Sequence, residues 1–308
     1  MSASLLIAQL LNGLQYGVML FLLAAGLTLV FGIMSFVNLA HGSLYMLGAY
    51  AAAVVGGQTG SFALGVLAAV ATGIVVGMAL EWVAVSRLYR RDHLDHVLAT
   101  FGLVLFFNEV VRMVWGPQPV FVTLPESLSG TVEFLGLSYP SYRFLIIAVG
   151  LAVAAGSQWL IHKTRVGMLI RAGSVNPKMV GALGVNIGLL NAMLFALGSA
   201  LAALAGAMAG PILSVQSGMG EPVLITTLVV IVIGGIGSVH GALYAGIIVG
   251  LVDTLGRTFL PMIIRSFADR EVANAAGPAL ASMLIYVLMA VILAWRPQGL
   301  FPANKVKS

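Results

Sequence analysis

The chain has 308 residues, of which 60% are hydrophobic and 8% are charged. Soluble domains carry about 25% charged residues, so this composition excludes a water-soluble surface. The formal net charge of +5 is compatible with nucleic-acid binding, and the chain contains no cysteine, which excludes disulfides and thiolate metal sites. The basic residues gather in short segments between apolar runs, however, and this argues against a nucleic-acid surface.

Long uncharged runs occupy both halves of the chain. Residues 1–80 contain no Asp, Glu, Lys or Arg, and Glu221 is the one such residue between positions 179 and 252. A spanning helix needs about 20 apolar residues, so each run holds several spans. Backbone groups in hydrocarbon need internal partners, and runs without strand-like alternation indicate helices. The sequence predicts an all-α, polytopic transmembrane helical bundle of about 8 to 9 spans, forming a single domain over residues 1–308.

In chain order, apolar runs bounded by Gly, Pro and charged residues define the predicted spans. The first run has neither a basic segment before it nor a small-residue cleavage site, so we interpret it as a retained span. The spans cover residues 8–32, 36–56, 62–86, 97–115, 142–162, 187–209, 223–239, 241–258 and 278–296.

Basic residues cluster after the third, fifth and last of these spans. Lys and Arg concentrate in short cytoplasmic loops, so these three segments face inward and the loop 116–141 is external. Four prolines in that loop favour irregular structure. The clustered basic residues are Arg87, Arg90, Arg91, Lys163, Arg165, Arg171, Lys178, Arg296, Lys305 and Lys307.

A short motif occurs twice. Residues 38–45 read Asn-Leu-Ala-His-Gly-Ser-Leu-Tyr, and residues 237–244 read Gly-Ser-Val-His-Gly-Ala-Leu-Tyr. Each copy interrupts an apolar run, and matching discontinuous helices in two halves are typical of transporters. Broken backbone at membrane depth requires surrounding protein or a water-filled cavity. We therefore expect the translocation path near Asn38, His41, Ser43, Ser238 and His240, although both histidines could instead bond neighbouring helices for packing alone.

The longest inward segment, 163–186, has the features of a short helix lying on the membrane. Asn176 before Pro177 is typical of a helix N-cap followed by proline at the first helical position, and Gly184 can end the helix. The basic residues of this segment could also simply bind lipid phosphates.

Three segments resemble one family: Gly32 to Gly42, Gly167 to Asn186 with Arg171-Ala172, and Gly234 to Ser238 followed by His240-Gly241. They are similar to LivH-type permeases, the membrane subunits of bacterial branched-chain amino-acid ABC importers. The resemblance implies a multi-pass permease of the bacterial inner membrane. It also implies that segment 163–186 is a cytoplasmic coupling segment docked on an ATPase, with candidate residues Arg171, Asn176, Pro177, Lys178, Gly181 and Gly184.

The resemblance also implies partners. They are a second, related permease, two ATP-hydrolysing subunits and an external substrate-binding protein, besides membrane lipid. No Gly-Lys pair occurs in the chain, so the phosphate-cradling loop is absent. We therefore expect no enzyme activity, metal or cofactor on this chain, with ATP and Mg on the partner subunits. Leucine-like amino acids are the first expectation for cargo; similar permeases import urea, amides or aromatic acids.

Two other classes remain open from the sequence. An ion-driven secondary transporter or a channel would work without an ATPase subunit. An intramembrane serine protease using Ser238 and His240 is disfavoured because the first motif copy has Leu39 in place of the serine. Glu109 with Arg112, and Asp253 with Arg257, have the spacing of simple helical ion pairs near predicted span ends.

Overall fold

The computed structural model describes residues 3–34, 36, 38–89, 91–134, 136–267 and 269–302. Arg90, Lys305 and Lys307 of the predicted inward clusters, and Ser35 and Val37 of the first motif region, lie outside these ranges. Within the described ranges the helices are α1 (Ala3–Met34), α2 (His41–Thr59), α3 (Phe62–Leu80), α4 (Ser86–Leu88), α5 (His93–Trp115), α6 (Glu126–Ser129), α7 (Ser141–Lys163), α8 (Arg165–Val175), α9 (Pro177–Ala182), α10 (Ile187–Ala209), α11 (Gly220–Gly234), α12 (Val239–Ile264) and α13 (Arg270–Trp295).

Seven helices of the described part are long and apolar enough to cross a membrane. One of them continues from α3 through a π-helical stretch, Glu81–Val85, into α4. The less apolar α2 and the shorter α11 supply the two remaining predicted spans. Every predicted span therefore corresponds to a helix, which confirms the all-α polytopic bundle. The seven long spans are 4–32, 62–88, 93–115, 141–163, 187–209, 239–264 and 270–295.

Helix α1 is the centre of the bundle. It is apolar on all sides, as expected of a helix surrounded by protein, and its residues from Val18 to Val30 are buried. It packs mainly on α12 and α10, and glycines allow the close approach. A Cβ on Gly17 would lie 2.5 Å from the carbonyl oxygen of Gly246, and one on Gly26 would lie 2.5 Å from that of Gly198. Small residues at these crossings give dense packing where the hydrophobic effect is weak.

The loop 116–141, predicted to be external, is more regular than its prolines suggest. It contains helix α6 and an antiparallel hairpin of β1 (Thr131–Phe134) and β2 (Leu137–Pro140). The Tyr139 hydroxyl donates to Asn12 Oδ1 over 3.0 Å, and Arg143 also contacts that oxygen. Burial raises the pKa of Tyr139, against the opposing effect of Arg143, so the phenol stays protonated and able to donate. This contact fixes the first part of α1 against loop 116–141 and the beginning of α7.

Candidate translocation and coupling sites

The first interruption lies between Met34 and His41, and its polar side chains are enclosed. His41, Asn38 and Ser43 are 1%, 2% and 4% exposed. His41 Nε2 donates to the Leu23 carbonyl of α1 over 3.2 Å. Both amide atoms of Asn38 lack a hydrogen-bond partner within the described residues. Three of the predicted path residues are therefore enclosed by the described part of the protein.

An aromatic contact holds this interruption against the beginning of α5. The ring centroid of Phe36 lies 4.6 Å from that of His96 and 6.4 Å from that of Tyr89. His96 Nε2 donates to the Leu88 carbonyl, and the Tyr89 hydroxyl donates to Glu81 Oε1, each over 2.8 Å. Burial, together with the Glu81 acceptor, raises the pKa of Tyr89, so the hydroxyl remains a donor. The π-helical stretch beginning at Glu81 is thereby tied to the first interruption.

The second interruption, between α11 and α12, is covered by Leu300 and Phe301, which follow α13. Gly235 and Gly237 have positive φ of 101° and 83°, a conformation that costs side-chain-bearing residues energy. The backbone N–H groups of Leu300 and Phe301 donate to the carbonyls of Ile233 and Gly234 over 2.8 and 3.0 Å. The last carbonyls of α11, which a helix cannot satisfy itself, thus find partners.

The second motif copy has different surroundings from the first. Ser238 caps α12 by accepting from the Gly241 N–H over 3.0 Å. His240 accepts a hydrogen bond from Gln158 of α7, and its ring lies 5.6 Å from that of His162. These partners lie on α7, whereas those of His41 lie on α1. The sequence repeat therefore predicts both helix breaks correctly, while the two histidines have unlike environments.

The segment 163–186, predicted to face inward, contains two short helices, α8 and α9. The Asn176 side chain accepts from the Met179 N–H over 3.0 Å, and Pro177 is at the first helical turn. Gly184, with φ of 88°, follows the end of α9. The predicted cap, first turn and stop are confirmed. Arg171 donates to the Ile161 carbonyl and ties α8 to α7. All six predicted coupling residues are exposed, namely Arg171, Asn176, Pro177, Lys178, Gly181 and Gly184.

Comparison with known proteins gives the same assignment as these features. A family model described as the permease component of the branched-chain amino acid transport system matches residues 9–293. The chain belongs to this family. The permease is 29% identical to the high-affinity branched-chain amino acid permease BraD of Pseudomonas aeruginosa, covering 97% of the chain and 96% of BraD. It is also 29% identical to LivH of Escherichia coli K12, covering 94% and 96%.

Two further similarities are more distant. The ribose import permease RbsC of Escherichia coli K12 is 27% identical over 84% of the chain and 83% of RbsC. A solved structure described as an inward-facing metal-chelate type ABC transporter aligns with a TM-score of 0.50 at 18% identity, over 94% of the chain and 85% of that structure. The family and the fold identify the permease as a membrane-spanning transport subunit of an ABC importer in the inner membrane, with no enzyme activity of its own.

The side chains of Asn108 and Glu221 are hydrogen-bonded in the permease, a contact that the sequence did not predict. Asn108 Nδ2 donates to Glu221 Oε1 over 2.6 Å, while Asn108 Oδ1 accepts from the Gly218 N–H over 3.2 Å. Asn108 thus joins α5 to the beginning of α11. The exceptional position of Glu221 in an uncharged run was the available signal, but its partner lies 113 residues away in sequence. Glu109 and Arg112 form the predicted pair, 3.1 Å apart and exposed.

The Asp253 and Arg257 pair is also formed, but deeper than predicted. Helix α12 continues to Ile264, so Arg257 and Asp253 lie about two and three turns before its end. Arg257 Nε donates to both carboxylate oxygens of Asp253 over 2.9 Å, and Arg257 Nη2 donates to Ser282 Oγ of α13 over 3.0 Å. The structure thus contains an ion pair within a candidate membrane span, and its arginine joins α12 to α13.

Proposed function

We propose that the permease imports branched-chain amino acids, delivered by an external binding protein, as one of two related membrane subunits driven by two ATPases. Its relatives BraD and LivH carry that substrate in their names and match the chain over nearly their whole length. ATP and Mg would bind to the ATPase subunits. Segment 163–186 would transmit the conformational change between ATPase and membrane domain, and loop 116–141 would lie on the external side.

The observation that carries the coupling role is an apolar surface on the inner segment. Val175, Met179 and Leu183 are 63%, 61% and 78% exposed, whereas Val180 packs toward the bundle. Exposed apolar side chains among polar and basic neighbours are typical of a surface that another protein covers. Arg171 and Asn176 hold α8 and α9 in place through backbone contacts, which supports a rigid docking element.

The path residues of the two interruptions belong to the same proposal. Asn38, His41 and Ser43 lie at a buried helix break, and unpartnered buried amides are costly unless another state supplies partners. Ser238 and His240 flank the other break. We propose that the breaks are where α1 and α11 move relative to α2 and α12 during transport, so that these side chains meet water or cargo in a second conformation.

The test uses proteoliposomes containing the permease, its second membrane subunit, the ATPases and the binding protein. Leucine uptake should require enclosed ATP. Leu183→Asp should weaken ATPase association and uptake by more than about tenfold, because a charge would be placed in an apolar interface. Phe121→Asp, which alters an equally exposed apolar residue of the external loop, should leave ATPase association unchanged.

Two outcomes would contradict the proposal. Leucine accumulation by vesicles that contain the permease and an ion gradient, without ATPase or ATP, would establish a secondary transporter. Unchanged ATPase association and unchanged uptake in Leu183→Asp would show that α9 contacts lipid or water and not the ATPase.

A further inference from the structure

A polar cavity of about 250 Å³ opens beside the ion pair of α12. It lies between α1, α11, α12 and α13, and it combines one guanidinium, several hydroxyls and a few apolar side chains. The lining residues used below are Tyr16, Ile225, Thr226, Arg257, Ser282 and Ile285. Asp253, also in the lining, is almost fully buried beneath the guanidinium.

The guanidinium is only partly satisfied. Its hydrogen bonds within the described residues use Nε, toward Asp253, and Nη2, toward Ser282. A guanidinium carries five N–H donors. Nη1 and one Nη2 hydrogen therefore have no acceptor among the described residues, and half of the Arg257 side-chain surface is exposed.

Exposure of this group to lipid would be costly. A charged side chain at the centre of a spanning helix costs about 2.5–3.5 kcal/mol on insertion scales. Arginines near span ends escape this cost by extending toward the headgroups. Arg257 instead reaches back to Asp253, one helical turn nearer the middle of α12. The face of α12 and α13 that carries Arg257 therefore meets water or protein and not hydrocarbon.

Other exposed faces of the bundle are different in character. On α5, for example, Leu98, Phe101 and Leu105 form an exposed apolar stripe with exposures of 62%, 52% and 53%. Such a stripe suits lipid, and α5 contains no Asp, Glu, Lys or Arg between Asp95 and Glu109, while its His96 is buried. The lining of the cavity differs from this stripe because it includes the Arg257 guanidinium and the Asp253 carboxylate.

We propose that the cavity lines a water-filled path and that Arg257 binds the carboxylate of the amino acid in transit. This inference rests on the proposed function. A guanidinium fork matches a carboxylate in two parallel hydrogen bonds, and Asp253 and Ser282 hold this fork in place. The hydroxyls of Tyr16 and Thr226 offer acceptors for an ammonium group, and Ile225 and Ile285 offer apolar contact. A small amino acid with an apolar side chain has the three matching groups, namely a carboxylate, an ammonium group and the apolar side chain itself.

The absence of cysteine permits a direct test by single-cysteine labelling in the assembled complex. Ser282→Cys would be reacted with anionic sulfonatoethyl and cationic trimethylammonioethyl methanethiosulfonate, which do not enter hydrocarbon. Leu105→Cys is the matched control, because it is exposed on the apolar face of α5 and, like Ser282, lies near the middle of its helix. Ser282→Cys should react with both reagents, and about tenfold faster with the anionic one because Arg257 attracts it. Leu105→Cys should remain unlabelled.

Two further measurements assign the anion preference and the ligand. The first measurement combines Ser282→Cys with Asp253→Asn and Arg257→Met, which together remove both charges of the ion pair and so leave no buried unpaired carboxylate. These two substitutions should abolish the preference of Ser282→Cys for the anionic reagent. Leucine, supplied with binding protein and ATP, should slow labelling of Ser282→Cys, whereas leucinol, which lacks the carboxylate, should not.

A Ser282→Cys rate as low as that of Leu105→Cys would overturn the proposal, because the face would then be covered. Equal rates with the two reagents, or equal protection by leucine and leucinol, would also overturn it. Leucine uptake by the complex that contains the unmodified permease is measured separately. If the proposed function is wrong, leucine uptake is absent. If only the carboxylate site is wrong, uptake is normal and the labelling pattern differs from the one expected.

Discussion

His41 Nε2 and the Leu23 carbonyl oxygen lie 3.2 Å apart, joining the first residue of α2 to the middle of α1 across the helix interruption. The bond links two helices that the sequence separates by a short irregular segment. The His41 ring also lies against Gly26, where an added Cβ would be 3.0 Å from Nε2. The motif histidine therefore occupies a fitted, enclosed position.

Replacing His41 with alanine should destabilise the permease. The substitution creates a cavity and removes a buried hydrogen bond, with an expected cost of about 2–4 kcal/mol in the free energy of unfolding. Equilibrium unfolding in mixed detergent micelles measures this cost, and His41→Gln, which keeps a donor, should recover part of it. A raised KM for leucine with unchanged stability would instead favour direct contact with cargo.

Where two helix backbones touch at a glycine, we expect that no side chain can replace the glycine hydrogen without cost. Gly206→Ala would drive a methyl group into the Tyr45 carbonyl of α2. The expected loss is about 1–3 kcal/mol from overpacking. Gly102→Ala on α5 is the matched control, since a Cβ there meets no atom within 4 Å. Its effect should stay within about 1 kcal/mol, favouring the helix. Equal losses in the two variants would contradict the packing explanation.

The Asn108 side chain is expected to hold the beginning of α11 against α5. Asn108→Ala leaves Glu221 and the Gly218 N–H without this partner, and should lower the free energy of unfolding by about 1–3 kcal/mol. Glu221→Gln keeps an oxygen acceptor and should cost less. Limited proteolysis of the 210–219 connection in the detergent-solubilised permease reports local opening. Similar cleavage rates in Asn108→Ala and the unmodified permease would rule out this role.

The Asn176 cap allows coupling to be separated from stability. Asn176→Ala removes the cap of α9, and Asn186→Ala removes the equivalent cap of α10, where the side chain accepts from the Leu189 N–H. Each should cost about 1 kcal/mol. Leucine-stimulated ATP hydrolysis should fall more for Asn176→Ala, because α9 belongs to the proposed docking surface. A larger fall for Asn186→Ala would move the coupling contact away from α9.

Local sequence determined the membrane class, the position of each span and the ends of α9. An uncharged run that is long enough to cross the bilayer can adopt few structures other than a helix, because its backbone groups must find partners within the protein. Caps such as Asn176 with Pro177 act within one turn, so their residues are neighbours in sequence. The two helix breaks could also be predicted from neighbouring residues, because a repeated short motif that includes glycine marks both of them.

Tertiary structure decided what each polar side chain touches. The motif predicted equal roles for His41 and His240, yet one is enclosed against α1 and the other contacts α7. Asn108 meets Glu221 across 113 residues, and Arg257 reaches Ser282 on the next helix. Such contacts depend on helix rotation and crossing, which small-residue packing sets throughout the bundle. A nearly uniform apolar sequence carries little information about them, because periodicity is weak where a helix is apolar all round.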